Sequence, residues 1–590
     1  MRNFSLWVIS MAEIITPKIP EGEVPQPVFV SLPSGRCGEK LTGCSHKQRI
    51  VRCCSRIGVT AVLMWAAVAI GAAEPSSPSG AVSTPAVVID GGQITGIPSP
   101  FRGSGDARVV VYRGLPYAAP PVGEDRWRPP KPAAQWQGVR SADTFSDSCY
   151  QPRHTSTFVW RREDFPVSED CLYLNVWAPE AGESLPVMVW FHGGAHTSGQ
   201  GHSLIFDGTE LASHGVVLIT INYRLGPFGF LAHPLLAAES PVGSAGNYGL
   251  LDKIAALQWV KANVGAFGGD ADNVTVFGQS AGSQSVCALM ASPLARGLFH
   301  KAIGQSAACV NTIPSEDANG FTRGERLVSK LALSSVQAMR NVPPDTVLAS
   351  ALSTGWEAES RITVDGWVLP EHPLTTFQEG RQAPVPLMLG FLADEGVELF
   401  PKNPALSVGE LGAFLQQVAG ARAQDLKSEY VDEFPSPADL QHAVATDFFM
   451  AFGMRRWAEY QAAIDQPTFF YFMDHVPPAF HLYMPEQTAL DLPGGPRSGG
   501  AYHSGDLAFV FGNTDKVGLD WNDADRTLSR HMVKYWVQFA QTGNPNGSSL
   551  PVWRAFDLGN KWTQVLDSAP RAIAGVRASR LDIMAAQWPP

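Results

Sequence analysis

Charge is scarce in this chain: Asp, Glu, Lys and Arg make up 17% of 590 residues, and 44 basic against 55 acidic side chains leave a net charge of −11. No long basic run occurs, so the electrostatic footprint of a surface for nucleic acid or anionic lipid is missing, and nucleic acid is not expected as a partner. Repeats and low-complexity domains are lacking too, which excludes a solenoid or an array. The 14 histidines and eight cysteines show no spacing that would hold a metal, so no metal or organic cofactor is expected. What remains is apolar: 45% of the chain is hydrophobic, enough for a large globular core.

The chain opens on Pro-rich, unpatterned sequence, and only then comes the layout of a secretory signal. Arg49-Ile50-Val51-Arg52-Cys53-Cys54-Ser55-Arg56 precedes an uncharged stretch from Ile57 to Ala73, with small residues before Glu74. That order of basic, apolar and small residues predicts a cleaved signal over 51–73, a spurious or disordered extension over 1–50 and a Ser/Pro linker over 74–85. An uncleaved membrane anchor is the alternative, and the apolar stretch is at the short limit for one. Cleavage predicts a secreted or periplasmic protein with no stable membrane insertion. It also leaves four cysteines, Cys149, Cys171, Cys287 and Cys309, an even number that fits an oxidising compartment.

Beyond the linker, Ala86–Ile89, an Asp90-Gly91 turn and Val109–Tyr112 read as small antiparallel strands. From Leu172 apolar runs alternate with helical patterns: Leu172–Trp177, Val187–Phe191, Val216–Ile221, Val274–Phe277 and Leu387–Gly390. Such alternation predicts an α/β fold with a large, mostly parallel sheet flanked by helices. Leu250, Ile254, Leu257 and Val260 mark one helix face, with Lys253 and Lys261 off it, and Leu528 to Ala540 marks a C-terminal helix closed by Gly543.

The chemistry concentrates where a β-rich run, Asn273 to Gly278, meets a helix-compatible one from Ala281 to Ala291. Between them Gly278-Gln279-Ser280-Ala281-Gly282 places a serine at a strand-to-helix turn, with its hydroxyl facing a helix N-terminus. The glycines leave room for a sharp elbow. Upstream, the strand Val187–Phe191 runs into His192-Gly193-Gly194-Ala195, whose backbone N–H groups can approach a substrate oxygen. A nucleophilic serine needs a base, and the base an acid, in the chain order Ser, acid, His. Asp394 and Glu395 follow the apolar run Leu387–Gly390, and His503 stands in Gly500-Ala501-Tyr502-His503-Ser504-Gly505-Asp506. Either carboxylate satisfies that order.

Several further motifs occur in sequence: Tyr112-Arg113-Gly114-Leu115-Pro116-Tyr117-Ala118, Ser168-Glu169-Asp170-Cys171-Leu172-Tyr173-Leu174-Asn175-Val176-Trp177, Asn222-Tyr223-Arg224-Leu225-Gly226, Gly246-Asn247-Tyr248-Gly249-Leu250-Leu251-Asp252 and Phe267-Gly268-Gly269-Asp270. With these the chain resembles the type B carboxylesterases, which include cholinesterases and bile-salt lipases, from about Ala86 to Phe556. The resemblance implies an α/β-hydrolase fold, one catalytic domain over 86–590 and hydrolysis of a small-molecule ester through an acyl-enzyme. It also implies Ser280, Glu395 and His503 as the triad and the N–H groups of Gly194, Ala195 and Ala281 as the oxyanion hole. Cys149 would pair with Cys171, and Arg126 with Glu169. Cys287 with Cys309 is a further candidate pair, with an ordinary core cysteine as its alternative. The rival readings are a specialised lipase or natural-ester esterase and a catalytically inactive adhesion domain, against which the intact triad speaks. Ala195 replaces the commoner third glycine, and Gln279 stands where cholinesterases carry glutamate. With no match to their aromatic choline site, choline ester specialisation is not expected. Trp160, Arg161 and Arg162 are candidates for the mouth of the substrate gorge, although such a segment is more often solvated surface.

Overall fold

The computed structural model describes residues 84–588 apart from 153–157, 163–164, 312, 314–316, 357–360, 398, 401, 485–489, 491 and 519. The expected extension and signal, and all but the last two residues of the expected linker, lie outside the described residues. Eleven strands form the main sheet: β1 (Ile97–Pro98), β2 (Val109–Pro116), β3 (Tyr173–Pro179), β4 (Leu185–Phe191), β5 (Val217–Ile221), β6 (Gly269–Gln279), β7 (Lys301–Gln305), β8 (Leu387–Leu392), β9 (Thr468–Met473), β10 (Trp562–Leu566) and β11 (Arg571–Ala574). Their spatial order is β11-β10-β9-β8-β7-β6-β4-β5-β3-β2-β1. From β5 to β10 every neighbouring pair is parallel, and the antiparallel pairs lie at the two edges.

The expected strands are present, most of them longer than their apolar runs. Val109–Tyr112 differs in partner: it belongs to β2 and pairs antiparallel with β3, while Val87–Ile89 makes a separate small hairpin with Gly92–Thr95.

A central strand buried on both faces must be apolar at consecutive positions, because alternate side chains point to opposite sides. In β4, Val187, Val189 and Phe191 join the core that holds Leu250, Leu257 and Val260 of α1 (Tyr248–Asn263) and Val286 of α2 (Ala281–Ala291). Met188 and Trp190 point the other way, into the core that holds Val533, Trp536 and Phe539 of α3 (Asp523–Thr542). Helix α3 begins on a capping box at Asn522 and ends at Gly543 in the left-handed conformation, the stop that the Thr542-Gly543 signal predicts.

Helix α1 departs from its expected pattern at one position. Lys261 is exposed, but Lys253 is fully buried, with Nζ 3.0 Å from the centre of the Tyr223 ring. Burial pushes its ammonium well below the usual lysine range. A helical face broad enough to lie across a two-sided sheet takes in the stem of a lysine that a four-residue apolar stripe would leave outside.

Both candidate cystine pairs are present, Cys149 with Cys171 and Cys287 with Cys309, each closing a separation of 22 residues. The first lies beside the bidentate pair of Arg126 Nε to Glu169 Oε1 at 2.6 Å and Nη2 to Oε2 at 2.5 Å. Among the described residues no helix is long and apolar enough to cross a membrane.

Candidate active site

Each candidate residue stands on a loop leaving the carboxyl end of a parallel strand: the Gly-Gly-Ala turn after β4, Ser280 after β6, Glu395 after β8 and His503 after β9. Loops at that edge converge outside the sheet, where α/β folds place ligands.

Ser280 holds φ 56° and ψ −126°, a strained conformation for a residue with a side chain, between Gln279 at the end of β6 and Ala281 at the start of α2. Its backbone N–H donates to the Gln305 carbonyl at 2.8 Å, tying the elbow to β7. A Cβ at Gly282 would stand 1.9 Å from the Phe191 carbonyl oxygen, and one at Gly278 would stand 2.5 Å from the Gly282 carbonyl carbon. The glycines therefore permit a close approach of backbone to backbone, and they set the elbow against the end of β4.

That same strand end carries the Gly-Gly-Ala turn. Gly194 and Ala195 both have positive φ, 99° and 53°. An alanine there costs about 1–2 kcal/mol of local strain that a glycine would not. Among the described residues the N–H groups of Gly194 and Ala195 have no acceptor. The first N–H groups of α2, beginning at Ala281, lack intrahelical partners by position. The turn is fixed from behind: Tyr223 donates its hydroxyl to the His192 carbonyl at 2.8 Å and stacks on the His192 ring at 4.3 Å. Arg224 grips the fully buried Asp252 through Nη2 at 2.6 Å and Nε at 2.9 Å. Burial, with a contribution from the charge of Lys253, holds His192 and His196 well below the usual histidine range, so both stay neutral.

The histidine and acid meet directly. His503 Nδ1 lies 2.5 Å from Glu395 Oε2, with 4% and 0% of the two residues exposed. Glu395 Oε1 accepts from the Leu392 N–H at 2.8 Å, which orients the carboxylate. Across the ring, His503 Nε2 lies 3.1 Å from the side-chain nitrogen of Gln279, the residue before Ser280. The imidazole is thus held between Glu395 and the elbow.

The neighbouring Asp394 is exposed and faces elsewhere. Its Oδ2 accepts from the Ala501 N–H at 2.8 Å and its own N–H donates to the Ala501 carbonyl at 3.1 Å, so it pins the loop that carries His503. Sequence reasoning left this tether unassigned, and no local pattern announces it, because the two loops are over a hundred residues apart.

Asp506, three residues past His503, was also unassigned. It is fully buried, and its Oδ2 accepts from Gln305 Nε2 at 2.7 Å and from the Tyr471 hydroxyl at 3.3 Å. Burial first, and the nearby charge of Glu395 second, raise its carboxyl to about 6 against the hydrogen bond from Gln305. The motif ending in Gly505-Asp506 held this signal.

The comparisons with known proteins agree with one another. The model of the carboxylesterase family matches residues 83–583. The chain belongs to that family. It is 35% identical over 482 residues to the para-nitrobenzyl esterase of Bacillus subtilis (strain 168), a match spanning 79% of this chain and 93% of that one. It is 32% identical over 540 residues to carboxylesterase 5A of Homo sapiens, spanning 85% and 89%. A solved structure of a PNB esterase superposes with a TM-score of 0.70 at 33% identity, covering 85% of this chain and 99% of that one. The fold is therefore the α/β-hydrolase fold, and this carboxylesterase is a carboxylic ester hydrolase with small-molecule esters as substrates.

Proposed function

We propose that this carboxylesterase works as a serine hydrolase through a covalent acyl-enzyme. Ser280 Oγ attacks the ester carbonyl carbon while His503 Nε2 takes its proton. The carbonyl oxygen, now negative, is received by the N–H groups of Gly194, Ala195 and Ala281. Collapse expels the alcohol, which takes the proton from His503, and a water activated by the same imidazole releases the acid. Glu395 keeps the proton of the neutral ring on Nδ1 and stabilises the imidazolium.

The observation that carries this reading is the placement of His503 between Glu395 Oε2 at 2.5 Å and the elbow residue Gln279 at 3.1 Å. Removal of the nucleophile tests it: Ser280→Ala is expected to lower turnover of an aryl ester by about 10⁶-fold. Activity near that of the unaltered enzyme contradicts the mechanism.

Residues 86–590 are taken as one catalytic domain, because Ser280, Glu395 and His503 must share one site. Export through the signal at 51–73 is part of the same proposal and is supported by two disulfides, which persist in oxidising compartments. Sequencing exported protein should find its first residue at or near Glu74, and a retained Met1 contradicts this.

A further inference from the structure

Solvated surface is the commoner state of a segment such as Trp160-Arg161-Arg162, and of its three residues only Arg161 is exposed. Trp160 is half-buried, with its ring edge-on to that of His503 at 6.1 Å and its Nε1 donating to Ser504 Oγ at 3.4 Å. Arg162 is buried, with 5% exposure.

Among the described residues the groups that touch the Arg162 guanidinium are neutral. Nη1 donates to Gln151 Oε1 at 3.1 Å and to Gln200 Oε1 at 3.5 Å, and the guanidinium carbon sits 3.8 Å from the centre of the Tyr483 ring. Its buried Nε has no acceptor among the described residues. Among the described residues no carboxylate pairs with it. Three other buried arginines each meet a carboxylate: Arg126 meets Glu169, Arg224 meets Asp252 and Arg340 meets Glu239. Placing a cation out of water is costly unless an anion accompanies it. Burial accordingly draws the Arg162 guanidinium below its usual range.

Its location is beside the proposed oxyanion turn. Gln151, which accepts from Arg162, also accepts from the Gly199 N–H and donates to the Gly199 carbonyl, both at 2.8 Å. A Cβ at Gly199 would stand 2.1 Å from His192 Nδ1 and 2.7 Å from the Gly193 carbonyl oxygen, so that residue lies flat against the turn. One shell of contacts thus joins Arg162 to His192 and Gly193, while Trp160, two residues away in the chain, reaches His503.

We propose that Arg162 is a specificity residue for an anionic group on the substrate apart from the ester being cleaved, and that this enzyme hydrolyses esters whose acyl or alcohol part carries a free carboxylate. The proposal rests on the Ser280 mechanism and deepens it. The planar guanidinium offers its Nε–H, which has no acceptor among the described residues, as one prong of a paired hydrogen bond to a carboxylate, a geometry that lysine does not reproduce. The bound carboxylate supplies the counter-charge that the described protein residues do not.

The test assays the enzyme on matched pairs of esters. On the acyl side, 4-nitrophenyl hemiadipate is compared with 4-nitrophenyl heptanoate. On the alcohol side, 4-acetoxybenzoate is compared with phenyl acetate. Spontaneous hydrolysis is subtracted throughout. The expected result is a kcat/KM for the anionic ester at least about tenfold above its neutral match in one of the two series, and a loss of at least about tenfold in that ratio in Arg162→Gln, the scale of a buried charge pair deprived of one partner. Arg162→Lys should retain only part of the ratio. Because a substitution at a buried site can unfold the loop, a second measurement needs no variant: adipate dianion should inhibit neutral-ester hydrolysis competitively, and adipamide at the same concentration and ionic strength should not. Neutral-ester hydrolysis with no anion preference in either series and no inhibition by adipate overturns the role of Arg162 and leaves the Ser280 mechanism standing. Failure to hydrolyse any of the four esters overturns both.

Discussion

At the scale of single residues, the choice between two adjacent carboxylates decides how the base is built. Neighbouring side chains on a loop diverge, and here Glu395 turns inward to His503 while Asp394 turns to the backbone of Ala501. Order along the chain allowed either acid, and only the resemblance to carboxylesterases favoured the second. The reason is physical: which way a side chain leaves a loop depends on contacts made far away in sequence. Glu395→Ala is expected to lower turnover by about 10⁴-fold, since the imidazole loses its required tautomer and the stabilisation of its cation. Asp394→Ala should cost far less at saturating substrate, because it slackens the loop without removing the acid. Turnover of both variants, with folding checked by near-UV circular dichroism, separates the two. A crippled Asp394→Ala beside an active Glu395→Ala contradicts the assignment.

Between elements, the buried Asp506 joins the His503 loop to β7 through Gln305 and to β9 through Tyr471, and Trp536 of α3 donates to the other end of Gln305 at 3.3 Å. Its folded-state carboxyl, raised to about 6, makes a signed prediction. A raised acid favours folding while protonated, so its contribution is full below the unfolded value, about 3.9, and is lost as pH rises through about 6. Asp506→Asn removes that titration. The thermal midpoint of the variant minus that of the unaltered enzyme should therefore be more positive at pH 7 than at pH 4. An equal difference at both pH values contradicts the account. This junction was poorly legible beforehand: β7, Lys-Ala-Ile-Gly-Gln, is short, polar at both ends and broken by glycine, so no strand pattern marks it. The longer runs of β4, β5, β6 and β8 were readable because a strand buried on both faces has to be apolar throughout.

Over the whole molecule, the order of strands and helices and the turns that follow them were legible, since apolar runs and glycine elbows are local signals. The tethers were not: Asp394 to Ala501, Gln305 to Asp506 and Arg162 to Gln151 join segments whose pairing only the closed sheet determines. Lys253 shows the same limit in reverse, a charge read as surface that the fold buries against Tyr223. What the assembled sheet does is bring the ends of β4, β6, β8 and β9 to one edge, and the central claim is that the nucleophile at this edge is Ser280. The most direct measurement is intact-mass and peptide analysis of the enzyme after brief exposure to a 4-nitrophenyl phosphonate ester, which a serine nucleophile attacks to leave a stable phosphonyl adduct. The account predicts one adduct per chain, located on the peptide containing Gly278-Gln279-Ser280-Ala281-Gly282, abolished by Ser280→Ala and accompanied by stoichiometric loss of esterase activity. An adduct on another residue with activity lost, or full activity with Ser280 modified, would contradict it.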